Sequence, residues 1–265
     1  MSGSDPQTLG QYRNDANLTA RINLHRRFST NPIGWNQWVF DQMRLPSGAR
    51  VLELGAGTGV LWSENRDRLP AGLELVVTDS SEGMLRAARE HLEGVPGVEF
   101  RQMDAAQIPD GDGTFDVVIA NHMLYHVPDR LAVFTQVTRV LRPRGRFYAA
   151  TNGATHMEEL DELIGKPENR ATISTTQFSL ENGAEQLAPF FDEVHLARHQ
   201  NPLAVTDTSA VLAYVRSLPW DLTERELARI GQVVDGVIAA GSAFHITRDS
   251  GMFLCSDPRL SAKGL

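Results

Sequence analysis

One stretch constrains this chain more than any other: Val51-Leu52-Glu53-Leu54-Gly55-Ala56-Gly57-Thr58-Gly59. A short apolar strand runs into three glycines, and the residues after them continue as a helix. Glycines in that place let the backbone turn sharply and let a ligand approach it closely. The carboxyl end of a first strand is also where doubly wound α/β sheets bind ligands. A dinucleotide loop wants a third small residue where Val60 stands, and here that glycine comes one residue early. A P-loop is excluded, because no Gly-Lys-Ser/Thr follows. Glu53 just before the loop is a poor neighbour for a pyrophosphate and suits a ligand that carries positive charge.

The rest of the pattern agrees with such a sheet. Further apolar strands are expected at Leu73 to Thr78, Val98 to Met103, Phe115 to Ala120 and Arg146 to Ala150, with a helix from Glu82 to His91. Between the last two strands, Leu131, Phe134, Val137, Val140 and Leu141 recur at helical spacing. Continuous apolar strands separated by helices argue for a parallel sheet covered on both faces. Upstream, Leu18, Ile22 and His25 share one helical face, and Trp35, Trp38 and Val39 begin a second helix after the Ser29–Pro32 break. Downstream, Val194 to Leu196 reads as a strand. Val211, Leu212, Val215 and Leu218 mark one amphipathic helix; Leu227, Ile230, Val234 and Ile238 mark another. Ala243 to Cys255 reads as a hairpin turning at Asp249-Ser250-Gly251. We divide the chain into residues 1–45, 46–150 and 151–265, the last two forming one domain with no convincing linker.

Two acids stand in register behind the loop. Asp79 ends the second strand, where a carboxylate can accept both hydroxyls of a ribose. Asp104, in Met103-Asp104-Ala105, follows the third strand and can accept from an exocyclic amine. With these residues the chain resembles the class I S-adenosylmethionine (SAM)-dependent methyltransferases, in their small-molecule branch, firmly over about residues 45–150. The resemblance implies a doubly wound, mostly parallel seven-stranded sheet whose last strand is antiparallel, and SAM as cofactor. It implies that Gly55, Ala56 and Gly57 meet the methionyl part and that Asp79 holds the ribose. Ser80 and Met84 would then lie beside the adenosine, and Asp104 and Ala105 would meet the adenine. Asn121 would face the sulfonium.

Asn121-His122-Met123-Leu124-Tyr125-His126 follows the fourth strand. Methyl transfer is an in-line displacement that chiefly needs alignment, and a base helps when the nucleophile must lose a proton. His122 is the first candidate for that base and His126 the second, with pocket-wall roles as the alternative. His25, His156 and His245 are unranked. The Asn/Asp-Pro-Pro-Tyr/Phe loop of enzymes acting on planar amide or adenine nitrogens is not here. The segment Tyr12 to Trp38 resembles the helical lid of related enzymes, in which Tyr12, Arg21 and Phe28 would close over SAM and Arg21 would pair its carboxylate. The stretch from Thr151 to Leu218, including a helical insertion, would shape the acceptor pocket.

The expected function is methyl transfer from SAM to an oxygen or nitrogen of a small molecule. An enzyme that uses SAM without methyl transfer and an NAD-dependent oxidoreductase are the alternatives. The net charge of -8 and the scattered Lys and Arg disfavour nucleic acid as a partner. No acidic cluster suits Mg²⁺, so no metal is expected. The lone Cys255, within the apolar Met252-Phe253-Leu254-Cys255, reads as core packing. The polar N-terminus and the lack of an apolar span point to a cytoplasmic protein with no membrane partner.

Overall fold

The computed structural model describes residues 15–165, 177–218, 220, 222–241 and 243–259. They fold as two compact units. The larger comprises residues 33–154, 172–199 and from 250 onward; the smaller comprises residues up to 32, 155–171 and 200–249.

In order, the elements are α1 (Asp15–Phe28), α2 (Trp35–Gln42), β1 (Arg50–Leu54), α3 (Val60–Ser63), β2 (Glu74–Asp79), α4 (Glu82–His91), β3 (Val98–Gln102), β4 (Phe115–Asn121), α5 (Arg130–Val140) and β5 (Leu141–Asn152). Then come α6 (Glu158–Ile164), α7 (Gly183–Leu187), β6 (Phe191–Gln200), β7 (Leu203–Val205), α8 (Thr208–Arg216), α9 (Glu224–Ala239), β8 (Phe244–Ile246) and β9 (Asp249–Pro258).

The larger unit is built on a seven-stranded sheet in the order β3-β2-β1-β4-β5-β9-β6. Strands β1 to β5 pair in parallel, and β9 is antiparallel to β5. The order reverses at β1, so β1 and β4 open a crevice at their carboxyl ends. Both faces are covered. Leu52, Leu54, Val118 and Phe147 pack with Phe134 and Val137 of α5 on one side. Val51, Val77, Ile119 and Tyr148 pack with Phe40, Trp62, Leu85 and Ala88 on the other. Strand alternation puts Glu53 on the second face, where it is 1% exposed. Helix starts are fixed locally: Ser81 caps α4 by accepting from Met84 N, and Asp129 caps α5 by accepting from Ala132 N.

Three expectations are corrected. First, Ala243 to Cys255 is not a hairpin. β8 pairs with β7 in a separate two-stranded sheet, and β9 pairs with β5. Asp249-Ser250-Gly251 lies inside β9, and its glycine answers a close approach instead of a turn. A Cβ on Gly251 would stand 2.5 Å from the Ala197 carbonyl oxygen of β6. Second, the buried face of α1 is Leu24 and Phe28, which join Leu203, Val205 and Val211 in the core of the smaller unit. Ile22 is 48% exposed. The i,i+4 apolar pair Leu24–Phe28 faces the core in place of Ile22, and each such burial contributes about 1.5–3 kcal/mol. Third, the basic residues are not all scattered. Arg44, Arg142, Arg144 and Arg146 line a cavity of about 540 Å³ with Asp116, at the amino ends of β4 and β5, away from the glycine loop. β5 is also longer than expected: the Pro143-Arg144-Gly145 segment lies within Leu141–Asn152, with a register irregularity opposite Phe115–Val117. Cys255 is buried, and burial pushes its thiol pKa up, which fits packing and not chemistry.

Candidate active site

The carboxyl ends of β1, β2, β3 and β4 bring most of the expected residues to one rim of the larger unit. The turn after β1 is left-handed at Gly55 (φ 61°) and Gly57 (φ 57°), a conformation that costs about 1–2 kcal/mol for other L-residues. A Cβ on Gly57 would meet nothing within 4 Å. Space therefore stands over the loop backbone, as a ligand resting on it needs. Ala56 N donates to Thr78 O (2.8 Å), which ties the loop to β2.

Asp79 organises this rim. Its Oδ2 accepts from Gly57 N (2.9 Å) and its Oδ1 from Ser81 N (2.8 Å). Each carboxylate oxygen keeps a lone pair for another donor. Its backbone carbonyl accepts from Met103 N (3.0 Å), which fixes the strand that delivers Asp104. Asp104 is exposed and accepts from Ala106 N through Oδ1 (2.9 Å), leaving Oδ2 for an amine; Ala105 sits between the two. Ser80 holds its carbonyl toward Gln102 Nε2 (2.9 Å), and Met84 is half-buried in the first turn of α4.

Glu53 lies under the loop. Trp62 Nε1 donates to its Oε2 (2.5 Å). Burial pushes its pKa up to about 7, against the pull of the Trp62 bond and with help from the Asp79 charge. An acid in that state gains most from a nearby cation.

After β4, Asn121 accepts from Trp35 Nε1 (3.3 Å). His122 takes a left-handed backbone (φ 55°), and its N–H donates to Ala150 O (3.1 Å). Its ring lies 4.8 Å from that of Trp35 and 6.3 Å from that of Tyr125. A non-glycine residue at positive φ stores strain, which is common where a side chain must be aimed. His126 sits in the short 3₁₀ turn Leu124–His126, 4.5 Å from the Tyr125 ring, and burial lowers its pKa. Burial thus favours its neutral imidazole.

Three contributors went unread in the sequence. Trp35 and Trp38 stack at 5.3 Å, and His199 of β6 packs 5.0 Å from Trp38 and 5.6 Å from Trp35. With His122 they make an aromatic wall beside Asn121. The tryptophan spacing showed only a helix, and nothing linked a histidine so distant in sequence to it. Of the other candidates, Tyr12 lies outside the described residues. Arg21 belongs to the smaller unit, where its Nε donates to Ser217 Oγ (3.1 Å) and its Nη2 to Ser217 O (2.6 Å). His25, His156 and His245 lie in that unit too. Among the described residues no cluster of His, Cys, Asp or Glu is placed to hold a metal, and no helix is long and apolar enough to cross a membrane.

Known proteins share this arrangement. Residues 51–145 match the family described as Methyltransferase domain. The chain is 34% identical over 115 residues to the ubiquinone/menaquinone biosynthesis C-methyltransferase of Idiomarina loihiensis, covering 42% of this chain and 46% of the relative. It is 34% identical over 137 residues to the ubiquinone biosynthesis O-methyltransferase of Pseudomonas aeruginosa, covering 51% and 57%. The match thus spans about half the length of these relatives. In fold, the chain superposes on a SAM-dependent methyltransferase from Aquifex aeolicus with a TM-score of 0.55, at 13% identity, over 96% of this chain and 98% of the other. Residues 51–145 thus match the methyltransferase domain family, and the strand order and acid-bearing rim around them are those of the class I methyltransferase fold.

Proposed function

We propose that this protein is a methyltransferase that moves the methyl group of SAM to an oxygen or nitrogen of a small-molecule acceptor. The observation that carries the reading is Asp79. One carboxylate is held by the amides of Gly57 and Ser81 and still has acceptor capacity at the tip of β2, where a ribose would bring two hydroxyls. Gly57 offers an open backbone for the methionyl part, next to Ala56 and to a Gly55 that packs against Met123, with Glu53 a counter-charge beneath. Ser80 and Met84 would flank the adenosine. Asp104 and Ala105 would read the adenine by one accepted and one donated hydrogen bond. When bound, SAM supplies a methyl group already activated by the sulfonium charge. The chain's task is then alignment, through Asn121 and the ordered residues after β4. His122 is the residue we assign to proton removal, with His126 as its neighbour in the same turn.

The aromatic wall of Trp35, Trp38, His122 and His199 suits a flat, largely apolar acceptor. That is the character of the quinone precursors for which two relatives are named, and one of those relatives is named for carbon methylation.

Calorimetry tests the reading. SAM and S-adenosylhomocysteine are expected to bind at about micromolar strength, and NADH not measurably. Binding of NADH with none of SAM would sink it. A methylated product together with S-adenosylhomocysteine separates transfer from the use of SAM without transfer.

A further inference from the structure

The cavity at the amino ends of β4 and β5 concentrates positive charge in a chain whose net charge is -8. Its volume is about 540 Å³, and Arg44, Arg142, Arg144 and Arg146 line it with Asp116 as the one acid among the described residues. Guanidinium groups stay charged at any working pH. Four arginines against one aspartate leave the lining with three surplus positive charges.

Only Arg142 is neutralised there. Its Nη1 donates to both carboxylate oxygens of Asp116 (2.7 Å each), and Asp116 Oδ2 also accepts from Arg50 N (2.8 Å). The side chains of Arg44, Arg144 and Arg146 make no ion pair and no hydrogen bond with a described residue. The nearby acids do not answer them. Glu74 pairs with Arg50 at 3.7 Å. Asp257 follows the Ser256 that faces Arg146 across the β5–β9 pair, and it forms no ion pair with any of the three.

The fold holds these arginines in place. Arg146 is in register with Val117 of β4 and Ser256 of β9, and it is half-buried. Arg44 N donates to Tyr148 Oη of β5 (3.0 Å). Arg144 takes a left-handed backbone (φ 66°), a conformation uncommon outside glycine and costly for a long side chain. The next residue closes the turn tightly: a Cβ on Gly145 would stand 2.8 Å from the Arg142 carbonyl oxygen.

We propose that this cavity binds a small molecule carrying two or more oxyanion groups, a polyphosphate or a polycarboxylate, through Arg44, Arg144 and Arg146. Guanidinium forks match paired oxygens on either group. One exposed guanidinium holds a single anion weakly, whereas three around one cavity act together on a polyanion. A concave space of this volume fits a small molecule better than a flat bilayer. The site lies away from the glycine loop and does not rest on the methyl-transfer reading.

Pyrophosphate, citrate, orthophosphate and acetate are titrated separately into the full chain in low-chloride buffer, with calorimetry as the readout. Pyrophosphate or citrate is expected to bind at about 0.1 mM, weakening as salt is added. Orthophosphate and acetate should bind about tenfold more weakly or less. Tighter pyrophosphate supports a polyphosphate ligand, and tighter citrate a polycarboxylate. Arg144→Gln is expected to weaken binding about threefold to tenfold, and replacing Arg44, Arg144 and Arg146 together by Gln to abolish it. Asp116→Asn keeps an oxygen for Arg50 N, releases Arg142 and tightens binding several fold. Arg86→Gln removes the same charge from the exposed side of α4, which packs on β2 and β3, and leaves binding unchanged. Absence of binding to the wild type overturns the site. So does orthophosphate binding as tightly as pyrophosphate, or an equal loss in Arg86→Gln and Arg144→Gln. SAM binding, measured on the same preparations, reports on the rim independently.

Discussion

The two units solve their polar problems in opposite ways. On the rim of the larger unit, the acids are answered within a few residues or by the adjacent strand: Asp79 by Gly57 and Ser81, Asp104 by Ala106, Glu53 by Trp62. In the smaller unit, the polar groups come from segments far apart in the chain. Arg21 reaches Ser217, and Thr247 reaches Glu159. A locally satisfied site is held ready for a ligand in the absence of one, since its geometry is set by strand ends and turns. Polar bonds that join distant segments instead hold the packing of their unit together. The larger unit is thus expected to lose function with little loss of stability when its side chains are cut. The smaller should change in stability first.

The same contrast explains what could be read from the chain. β1, β2 and β4, the glycine loop and Asp79 lie within one stretch in which strand period, turn residues and acids all agree. The ends of helix α4 were legible for the same reason. The C-terminal part misled. Gly251 looked like a turn residue because glycine usually is one there. Its real cause, the Ala197 carbonyl 2.5 Å from where a Cβ would be, lies on a strand more than fifty residues earlier. Trp35 and His199 met the same limit: their partnership is tertiary, so no local period records it. The smaller unit, spliced from three segments, offers no composition change to mark it.

The sharpest way to break the contrast is His122. Its placement after β4, against Trp35 and at positive φ, assigns it to the reacting end of the site. His122→Asn, which tolerates that backbone conformation, is expected to lower turnover by about 10² to 10⁴. SAM affinity should hold, and Tm should stay within a few degrees. The acidic limb of the wild-type pH–rate profile should disappear with it. Turnover within about twofold of wild type would make His122 part of the wall. An equal loss in His126→Asn with the profile unchanged would mean the loop matters and no base does.

Asp79 comes next. Asp79→Ala removes the acceptor we propose for two ribose hydroxyls and frees the amides of Gly57 and Ser81. SAM affinity should fall about ten- to a hundredfold, or roughly 1.5–3 kcal/mol, with the rate at saturating SAM much less affected. Unchanged affinity in the calorimeter would remove the ribose from this position. A collapse of Tm would show that the rim is less self-sufficient than its hydrogen bonds indicate.

The subtlest test is Glu53, because it asks whether even an acid with a hydrogen-bond donor of its own holds something back for the ligand. Its pKa is raised from 4.5 to about 7 in the folded chain, chiefly by burial. The sign follows from proton counting. Below about pH 4.5 both folded and unfolded states carry the proton, and the group contributes nothing. Between about 4.5 and 7 the unfolded chain releases it while the folded chain keeps it, so stability falls as pH rises. Above about 7 the full loss is present, on the order of 3 kcal/mol for a shift of this size. Glu53→Gln keeps an oxygen for Trp62 Nε1 and cannot ionise. It is expected to flatten the fall in Tm between about pH 5 and 8 and to be the more stable protein at the alkaline end. A cationic ligand over the loop reverses the preference, since the ionised acid is then the favoured one. SAM binding to the wild type near neutrality should therefore release a fraction of a proton, seen as a dependence of calorimetric heat on the buffer's ionisation enthalpy. Glu53→Gln should bind without that release and a few fold more weakly at alkaline pH. If wild type and variant show the same buffer dependence, Glu53 serves only to hold Trp62, and the loop's counter-charge must be sought elsewhere.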